Sequence, residues 1–232
     1  MVTVPALVSI DWPDSRRIVG TIYPPIHLFE EGSPPEDWEL LASLEAKTNP
    51  RVLDQIGNLR LVPPDRRVSG PTASLAMAPF CHASKDRPGR FSDGSFGVWY
   101  GADVVEVALM ETAYHFIRFM ARTHEPAVDR DYRELVTHVR GALHDLSSDA
   151  DCLDPDDWTA AQSMGRNLRA ANSHGVAYPS VRYPKGNACA LFYPDLIRLP
   201  VNQGRSFRYH WDGAQMNGYF VYGEGNWRSL PT

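Results

Sequence analysis

Three residues with distinct chemistry follow one another at similar spacing near the middle of the chain. They are Arg90, Tyr100 and Glu111, separated by ten and eleven residues. The segment that carries them, residues 89 to 115, has the pattern of a glycine-containing turn, a short aromatic strand and a helix. A guanidinium, a phenol and a carboxylate brought together by these elements suit a substrate that is both anionic and aromatic.

Glu111 is the residue of this segment that is hardest to explain as ordinary structure. Asp103 and Glu106 have the spacing of a capping box, which predicts a helix to about Arg122. Helical spacing then places Glu111 among apolar and aromatic side chains, namely Val107, Tyr114 and His115. An ionised carboxylate in such surroundings needs a partner. Glu111 is therefore either half of a buried salt bridge with an arginine or a catalytic carboxylate.

The other candidate residues each have a simpler structural interpretation. Arg90 has the setting of a surface turn arginine, and Tyr100 that of a half-buried strand aromatic. Ser180, which follows a proline, can satisfy a backbone group, and Asn187, which follows a glycine, can be a turn residue. The order and spacing of these residues along the chain indicate a functional site more specifically than any single residue does.

Composition limits the classes of protein that this chain can belong to. Its 232 residues, 43% of them hydrophobic and 22% charged, predict one large, soluble globular domain. A net charge of −5 argues against general nucleic-acid binding, which needs a concentrated basic face. No stretch approaches the roughly 20 apolar residues of a membrane span, and the N-terminus lacks the basic region of a signal peptide. Three widely spaced cysteines favour a reducing cytoplasm over a disulfide framework.

Several familiar catalytic motifs are absent from the sequence. It contains no P-loop, no G-x-G-x-x-G after a strand, no G-x-S-x-G and no HExxH. The eight histidines are scattered, so we expect no metal site. His115 is the histidine closest to the candidate segment, and we expect it to have a structural or hydrogen-bonding role.

Short elements interrupted by proline and glycine predict the mixed α+β class. We expect a loose arm over residues 1–15, a strand over 17–23, a helix opened by Ser33 and Glu36, and a buried strand over 73–82. In the second half we expect the following elements: a weak strand over 132–146, a helix from Asp154 to about Ala171, strands over 176–181 and 188–192, and short strands between 207 and 227.

The candidate residues, with others between Arg17 and Pro194, resemble the RES-domain family. The matching segments are Arg17-Ile18-Val19, Gly89-Arg90-Phe91, Tyr100, Leu109 to His115 around Glu111, Tyr178-Pro179-Ser180-Val181, and Gly186-Asn187 through Phe192-Tyr193-Pro194. The chain departs from the family pattern at Ile18, where some relatives have tyrosine, and at Tyr193, where many have asparagine.

The resemblance implies a fold and a biological role. RES-domain proteins are toxins of bacterial toxin–antitoxin modules, usually encoded beside an Xre-like antitoxin. It implies an ADP-ribosyltransferase-like fold, with small mixed or antiparallel sheets flanked by helices in one domain over residues 16–232. It further implies a cleft that binds NAD as substrate, without a metal, and an antitoxin protein as partner.

The resemblance also implies a reaction and its residues. The nicotinamide–ribose bond of NAD is broken, by phosphorolysis or hydrolysis or with transfer of ADP-ribose to a protein such as a phosphoribosyl pyrophosphate synthetase. A catalytically inactive module that only binds a partner is the alternative of a different class. The implied catalytic residues are Glu111, Arg90 and Tyr100. The residues implied to bind NAD are Arg17, Arg90, Tyr100, Ser180 and Asn187. The acceptor of the ADP-ribosyl group can be phosphate, water or a protein side chain.

Overall fold

The chain folds into a mixed arrangement of helices and strands, as the computed structural model shows for residues 4–21, 34–47 and 56–231. Within these ranges the α-helices with defined bounds are α1 (Trp38–Glu45), α2 (Ala73–Cys81), α3 (Val105–Met120) and α4 (Thr159–Ala170). The strands of the described residues are β1 (Leu7–Gly20), β2 (Trp99–Ala102), β3 (Val128–Asp145), β4 (Gly175–Pro179), β5 (Asn187–Leu191), β6 (Asn202–Trp211), β7 (Met216–Val221) and β8 (Trp227–Arg228). The predicted α+β class is confirmed.

All eight described strands join in one sheet, where the resemblance implied several small ones. Their order is β1-β2-β5-β4-β3-β6-β7-β8, and β1 also pairs with β3. Strands β1, β2, β5, β4 and β3 therefore form a closed ring, from which β6, β7 and β8 extend. The pairing of β3 with β4 is parallel, and the other strand pairs are antiparallel.

The prediction of a loose arm over residues 1–15 is wrong from Leu7 onward. Strand β1 pairs with β3 from Leu7, opposite His144, to Gly20, opposite Tyr132. A register shift between Trp12 and Ser15 takes up the proline between them, which has no N–H to donate. The long partner strand, which is remote in sequence, therefore orders a segment whose own pattern is weak.

Residues 73–81 form helix α2 and not the strand predicted over 73–82. Seven of the nine residues of α2 are buried: Ala73, Ser74, Leu75, Ala76, Met77, Phe80 and Cys81. A helix that is buried on all sides has no polar face, and its sequence therefore shows no helical period. An apolar run of this length does not distinguish a strand from a helix.

The predicted helix beginnings also differ from those in the structure. Helix α3 begins at Val105 without a side-chain cap, so the capping box of Asp103 and Glu106 does not form. Helix α4 begins at Thr159, because the Asp154 carboxylate accepts two N–H bonds in a preceding turn. The helix predicted to open at Ser33 is present as α1, which follows a 3-10 turn over Pro35–Asp37. Ser33 itself and the end of the strand predicted over 17–23 lie outside the described ranges.

The sheet separates two apolar cores. One core includes residues of α3 and α4, and the other includes residues of α1 and α2. Adjacent residues alternate between the cores along the strands: Ala177 belongs to the second and Tyr178 to the first. No helix in the described part of the chain combines the length and apolar character that crossing a bilayer requires.

Candidate active site

A cleft open to solvent lies beside α3, on the side of the sheet that faces the first core. It encloses about 830 Å³ of space, including part of the solvent at its mouth. The predicted residues Arg17, Arg90, Tyr100 and Glu111 all line this cleft. A turn, two strands and a helix thus bring together side chains spread over more than ninety positions of the chain.

Glu111 projects from the middle of α3 and is held by Ser180. The Ser180 Oγ donates to Glu111 Oε1 over 2.9 Å, and Ser180 itself is 2% exposed. The serine oxygen in turn accepts the backbone N–H groups of Arg182 and Tyr183. Ser180 is therefore oriented by the backbone after β4 and presents its proton to the carboxylate.

Burial raises the pKa of the Glu111 carboxyl above its ordinary value. The Ser180 hydrogen bond opposes this shift, as do the positive charges of Arg90 and Arg182. In the described part of the chain no ion pair within 4.0 Å joins Glu111 to an arginine. Of the two interpretations of Glu111, the structure therefore disfavours the buried salt bridge.

Arg90 is a buried arginine, and not the surface turn residue that its neighbours suggest. It is 6% exposed, and its Nη1 donates to the carbonyl oxygens of Cys152 at 3.2 Å and Asp154 at 2.6 Å. Its guanidinium carbon lies 5.9 Å from the centre of the Trp158 ring. The loop before α4 therefore fixes one end of the guanidinium within the cleft wall.

Tyr100 lies on β2, with its hydroxyl directed at the turn that contains Arg90. The phenol oxygen accepts the Phe91 N–H over 3.0 Å. A β-carbon at Gly89 would lie 2.5 Å from that oxygen, so only glycine fits at this position. Burial is the main cause that raises the pKa of Tyr100 to about 12, and the phenol stays protonated at neutral pH. The glycine before Arg90 is therefore explained by geometry, because the turn packs directly against the Tyr100 hydroxyl.

Arg17 reaches the cleft from β1 but is held largely by the protein. Its Nη1 donates to the Tyr100 carbonyl over 3.1 Å, and its guanidinium carbon lies 5.1 Å from the Trp99 ring centre. Burial lowers the pKa of Arg17 to about 10, so the side chain remains charged. Its Nε is buried without a hydrogen-bond partner among the described residues.

Asn187 is not brought into the cleft. Its amide Nδ2 donates to Asp103 Oδ2, and its backbone N–H donates to Asp103 Oδ1, both over 2.8 Å. Asn187 is exposed at the start of β5 and is not among the residues that line the cleft. The asparagine ties β5 to the loop before α3, which is a structural role.

The cleft also contains residues that the sequence analysis did not select. Arg182 lines it with its guanidinium carbon 3.5 Å from the Tyr114 ring centre and donates to the Pro155 carbonyl. Trp158 lies against Tyr114 and His115. Arg182 could have been selected from the sequence because it lies two residues after Ser180. No local pattern indicates Trp158, because the loop before α4 contacts α3 only in the folded protein.

His115 lies one helical turn after Glu111 and also lines the cleft. Burial, together with the charges of Arg118, Arg182 and Arg90, lowers the pKa of His115 to about 4. The imidazole is therefore neutral at neutral pH. Within the described residues no group of three or more His, Cys, Asp or Glu side chains could hold a metal ion.

Comparison with known proteins gives a family for the chain. The family model for the RES domain matches residues 64–212. A relative from Sinorhizobium fredii (strain NBRC 101917 / NGR234), the uncharacterized protein y4oC, is 26% identical over 209 residues, which cover 89% of this chain and 86% of the relative. A chain in the crystal structure of the M. tuberculosis MbcT–MbcA toxin–antitoxin complex aligns with 92% of this chain and 86% of its own length, at 13% identity and a TM-score of 0.42. The match to the RES model spans well over half of the sequence, and the chain belongs to the RES-domain family.

Proposed function

We propose that this protein cleaves the nicotinamide–ribose bond of NAD and acts in the cytoplasm as the toxin of a toxin–antitoxin pair. The observation that carries the proposal is the position of Glu111, a half-buried carboxylate that lines a cleft among arginines and aromatic rings and accepts a hydrogen bond from Ser180. Such a group is costly to keep ionised unless it stabilises a bound cation.

The arginines of the cleft suit the diphosphate of NAD. Guanidinium groups match phosphate oxygens with paired N–H donors and keep their charge at all relevant pH values. Nε of Arg17 and Nε of Arg182 are buried without hydrogen-bond partners among the described residues. Both residues line the cleft. A phosphate oxygen would supply the missing acceptor of Arg182, whereas Arg17, whose guanidinium packs over Trp99, contributes its positive charge from the cleft wall.

The aromatic residues of the cleft suit the flat rings of a dinucleotide. Tyr100, Tyr114, Trp158 and Tyr178 line it together. A ring face attracts a cation such as the nicotinamide ring of NAD⁺, and stacking orients it. The neutral imidazole of His115 adds no charge that would repel this cation.

Glu111 suits the charge that develops when the bond breaks. As nicotinamide leaves, the ribose acquires oxocarbenium character, as in glycoside cleavage. The Glu111 carboxylate supplies negative charge close to this centre and can accept a hydrogen bond from a ribose hydroxyl, while Ser180 fixes its orientation. A cationic leaving group departs as a neutral molecule and needs no general acid. One carboxylate is therefore sufficient for NAD, whereas an ordinary glycoside requires two.

The test is nicotinamide release by the purified protein without its antitoxin. We expect the wild type to release nicotinamide, and Glu111→Gln to lose about 100-fold or more in rate, as when a preorganised transition-state contact is removed. Glu125→Gln, an exposed residue outside the cleft, is the matched control and should behave as the wild type. No release by the wild type, or undiminished release by Glu111→Gln, would contradict the proposal.

The products of the same reaction identify the acceptor of the ADP-ribosyl group. Mass analysis after incubation with and without phosphate distinguishes free ADP-ribose from its phosphate ester. Transfer of label from labelled NAD to a protein would instead establish a mono-ADP-ribosyltransferase. Absence of NAD turnover would indicate a module that only binds a partner. For the biological role, we expect expression of the wild type to arrest growth, expression of Glu111→Gln to be harmless, and an Xre-like partner to restore growth.

A further inference from the structure

We infer that Arg16, the residue before the family-matched Arg17, binds the anionic diphosphate of the substrate, and that buried Glu134 positions it for this task. The inference rests on the proposed function for the identity of the ligand. It rests on the structure for the residue: Arg16 lines the cleft, and its side chain is 26% exposed.

The alternation of β1 distinguishes the two neighbouring arginines. Arg16 lies on the same face of the strand as Ile18, which belongs to the first core and lines the cleft. Arg17 lies on the face of Val19, and its guanidinium packs over Trp99 of the second core. Of the two, Arg16 is therefore the one that the strand directs to the cleft side of the sheet.

A buried carboxylate holds Arg16 in place. Glu134 on β3 is 1% exposed, and its Oε1 accepts Arg16 Nη1 over 2.7 Å. The same carboxylate accepts three bonds from Arg205: from the backbone N–H at 3.0 Å, from Nε at 3.0 Å and from Nη2 at 3.1 Å. A β-carbon at Gly204 would lie 2.6 Å from Oε2, so the strand β6 makes room for this carboxylate. Four hydrogen bonds therefore hold the Glu134 carboxylate between the two arginines.

The charges of this group do not cancel. Two guanidinium groups share one carboxylate, which leaves one positive charge. Burial alone would raise the pKa of Glu134, but the hydrogen bonds from Arg205 and Arg16 hold that pKa below its ordinary value, so the carboxylate is ionised at neutral pH. Arg16 has a single hydrogen bond to the described residues, which leaves its remaining N–H groups available to a ligand in the cleft. A preorganised, partly satisfied guanidinium is well suited to a phosphate oxygen.

The experiment measures binding of two probes, inorganic pyrophosphate and ADP-ribose, by calorimetry, beside steady-state cleavage of NAD. We expect Arg16→Gln to raise the dissociation constants of both probes about tenfold or more, which is the loss expected for a charge-assisted hydrogen bond. Arg130→Gln removes the same charge from an exposed position of β3 outside the cleft and should leave both constants unchanged. Arg16→Lys keeps the charge without the paired donors, and should show an intermediate loss.

Glu134→Gln tests the positioning role. If Glu134 orients Arg16, this variant raises KM for NAD and the pyrophosphate dissociation constant with little change in kcat. A purely structural role would instead lower the melting temperature and the active fraction, with KM unchanged. The latter result would overturn the role assigned to Glu134.

The outcomes also separate this inference from the proposed function. If the wild type binds pyrophosphate, Arg16→Gln does not, and NAD is not cleaved, the inference stands and the proposed function fails. If NAD is cleaved and Arg16→Gln binds both probes as tightly as the wild type, the inference is overturned and the function stands. Failure of both probes to bind the wild type would also overturn the inference.

Discussion

Ser180 Oγ and Glu111 Oε1 lie 2.9 Å apart, although 69 residues separate them in the chain. The serine donates and the carboxylate accepts, so the bond favours the ionised carboxylate against a burial that favours the protonated one. This pair joins the end of β4 to the middle of α3 and sets the charge state on which the proposed reaction depends.

Removal of the Ser180 hydroxyl should move the pH dependence of NAD cleavage. The pKa of Glu111 is already raised by burial, and Ser180→Ala raises it further because the ionised form loses its hydrogen bond. The acid limb of the kcat/KM profile should therefore shift to higher pH, with roughly tenfold lower activity on that limb and a smaller loss at alkaline pH. Ser148→Ala, an exposed residue outside the cleft, is the control. An unshifted acid limb in Ser180→Ala would exclude Glu111 as the titrating group.

Replacement of Glu111 by glutamine should not destabilise the fold at neutral pH. A raised pKa in the folded state means that ionisation costs stability, and this cost is fully present above the folded pKa and absent below the unfolded one. Glu111→Gln removes it, and the melting temperature should rise by about 2 to 4 °C for each kcal/mol relieved.

The thermal comparison also decides between the two interpretations of Glu111. The advantage of Glu111→Gln should shrink as the pH falls through the raised pKa, whereas Glu125→Gln should match the wild type throughout. A melting temperature below that of the wild type at neutral pH would mean that Glu111 is half of a structural ion pair.

Substitutions at Gly89 and Tyr100 should have non-additive effects on the free energy of unfolding. In Gly89→Ala the new β-carbon would meet the phenol oxygen at 2.5 Å and displace the ring, so we expect a loss of about 1–3 kcal/mol in stability, together with activity. Tyr100→Phe removes that oxygen and leaves the Phe91 N–H without its acceptor. Denaturant unfolding of the double variant should show a loss smaller than the sum of the single losses. Additive losses would indicate that the turn does not pack against the hydroxyl.

Asn187 should matter for stability and not for the chemistry. Its amide bonds Asp103 and does not reach the cleft, so Asn187→Ala should cost about 1 kcal/mol of unfolding free energy and leave kcat/KM within about twofold. Asp103→Ala should cost at least as much, because it removes both bonds. Since the amide bond is shared, the double variant should add little to Asp103→Ala. A large fall in kcat/KM for Asn187→Ala, caused by a higher KM, would instead show that Asn187 binds the substrate.

Local signals predicted part of this structure well. The strands over 176–181 and 188–192, and the helix that carries Glu111, are close to their predicted positions because their apolar periodicity is strong. The capping box of Asp103 failed for a nonlocal reason: Asn187 competes for the same carboxylate. The simpler interpretation of Arg90 as a surface turn residue is wrong because its hydrogen-bond partners, the carbonyls of Cys152 and Asp154, lie more than sixty positions away in the chain.

By itself the sequence determined the mixed α+β class, the family, and the order of an arginine, a tyrosine and a glutamate on a turn, a strand and a helix. These properties depend on residue type and short-range spacing, which are local. Only the tertiary structure decided which side chains share the cleft. It added Arg16, Trp158 and Arg182, and it placed Asn187 outside. Strand pairing and burial join residues far apart in the chain, and no local pattern specifies those contacts.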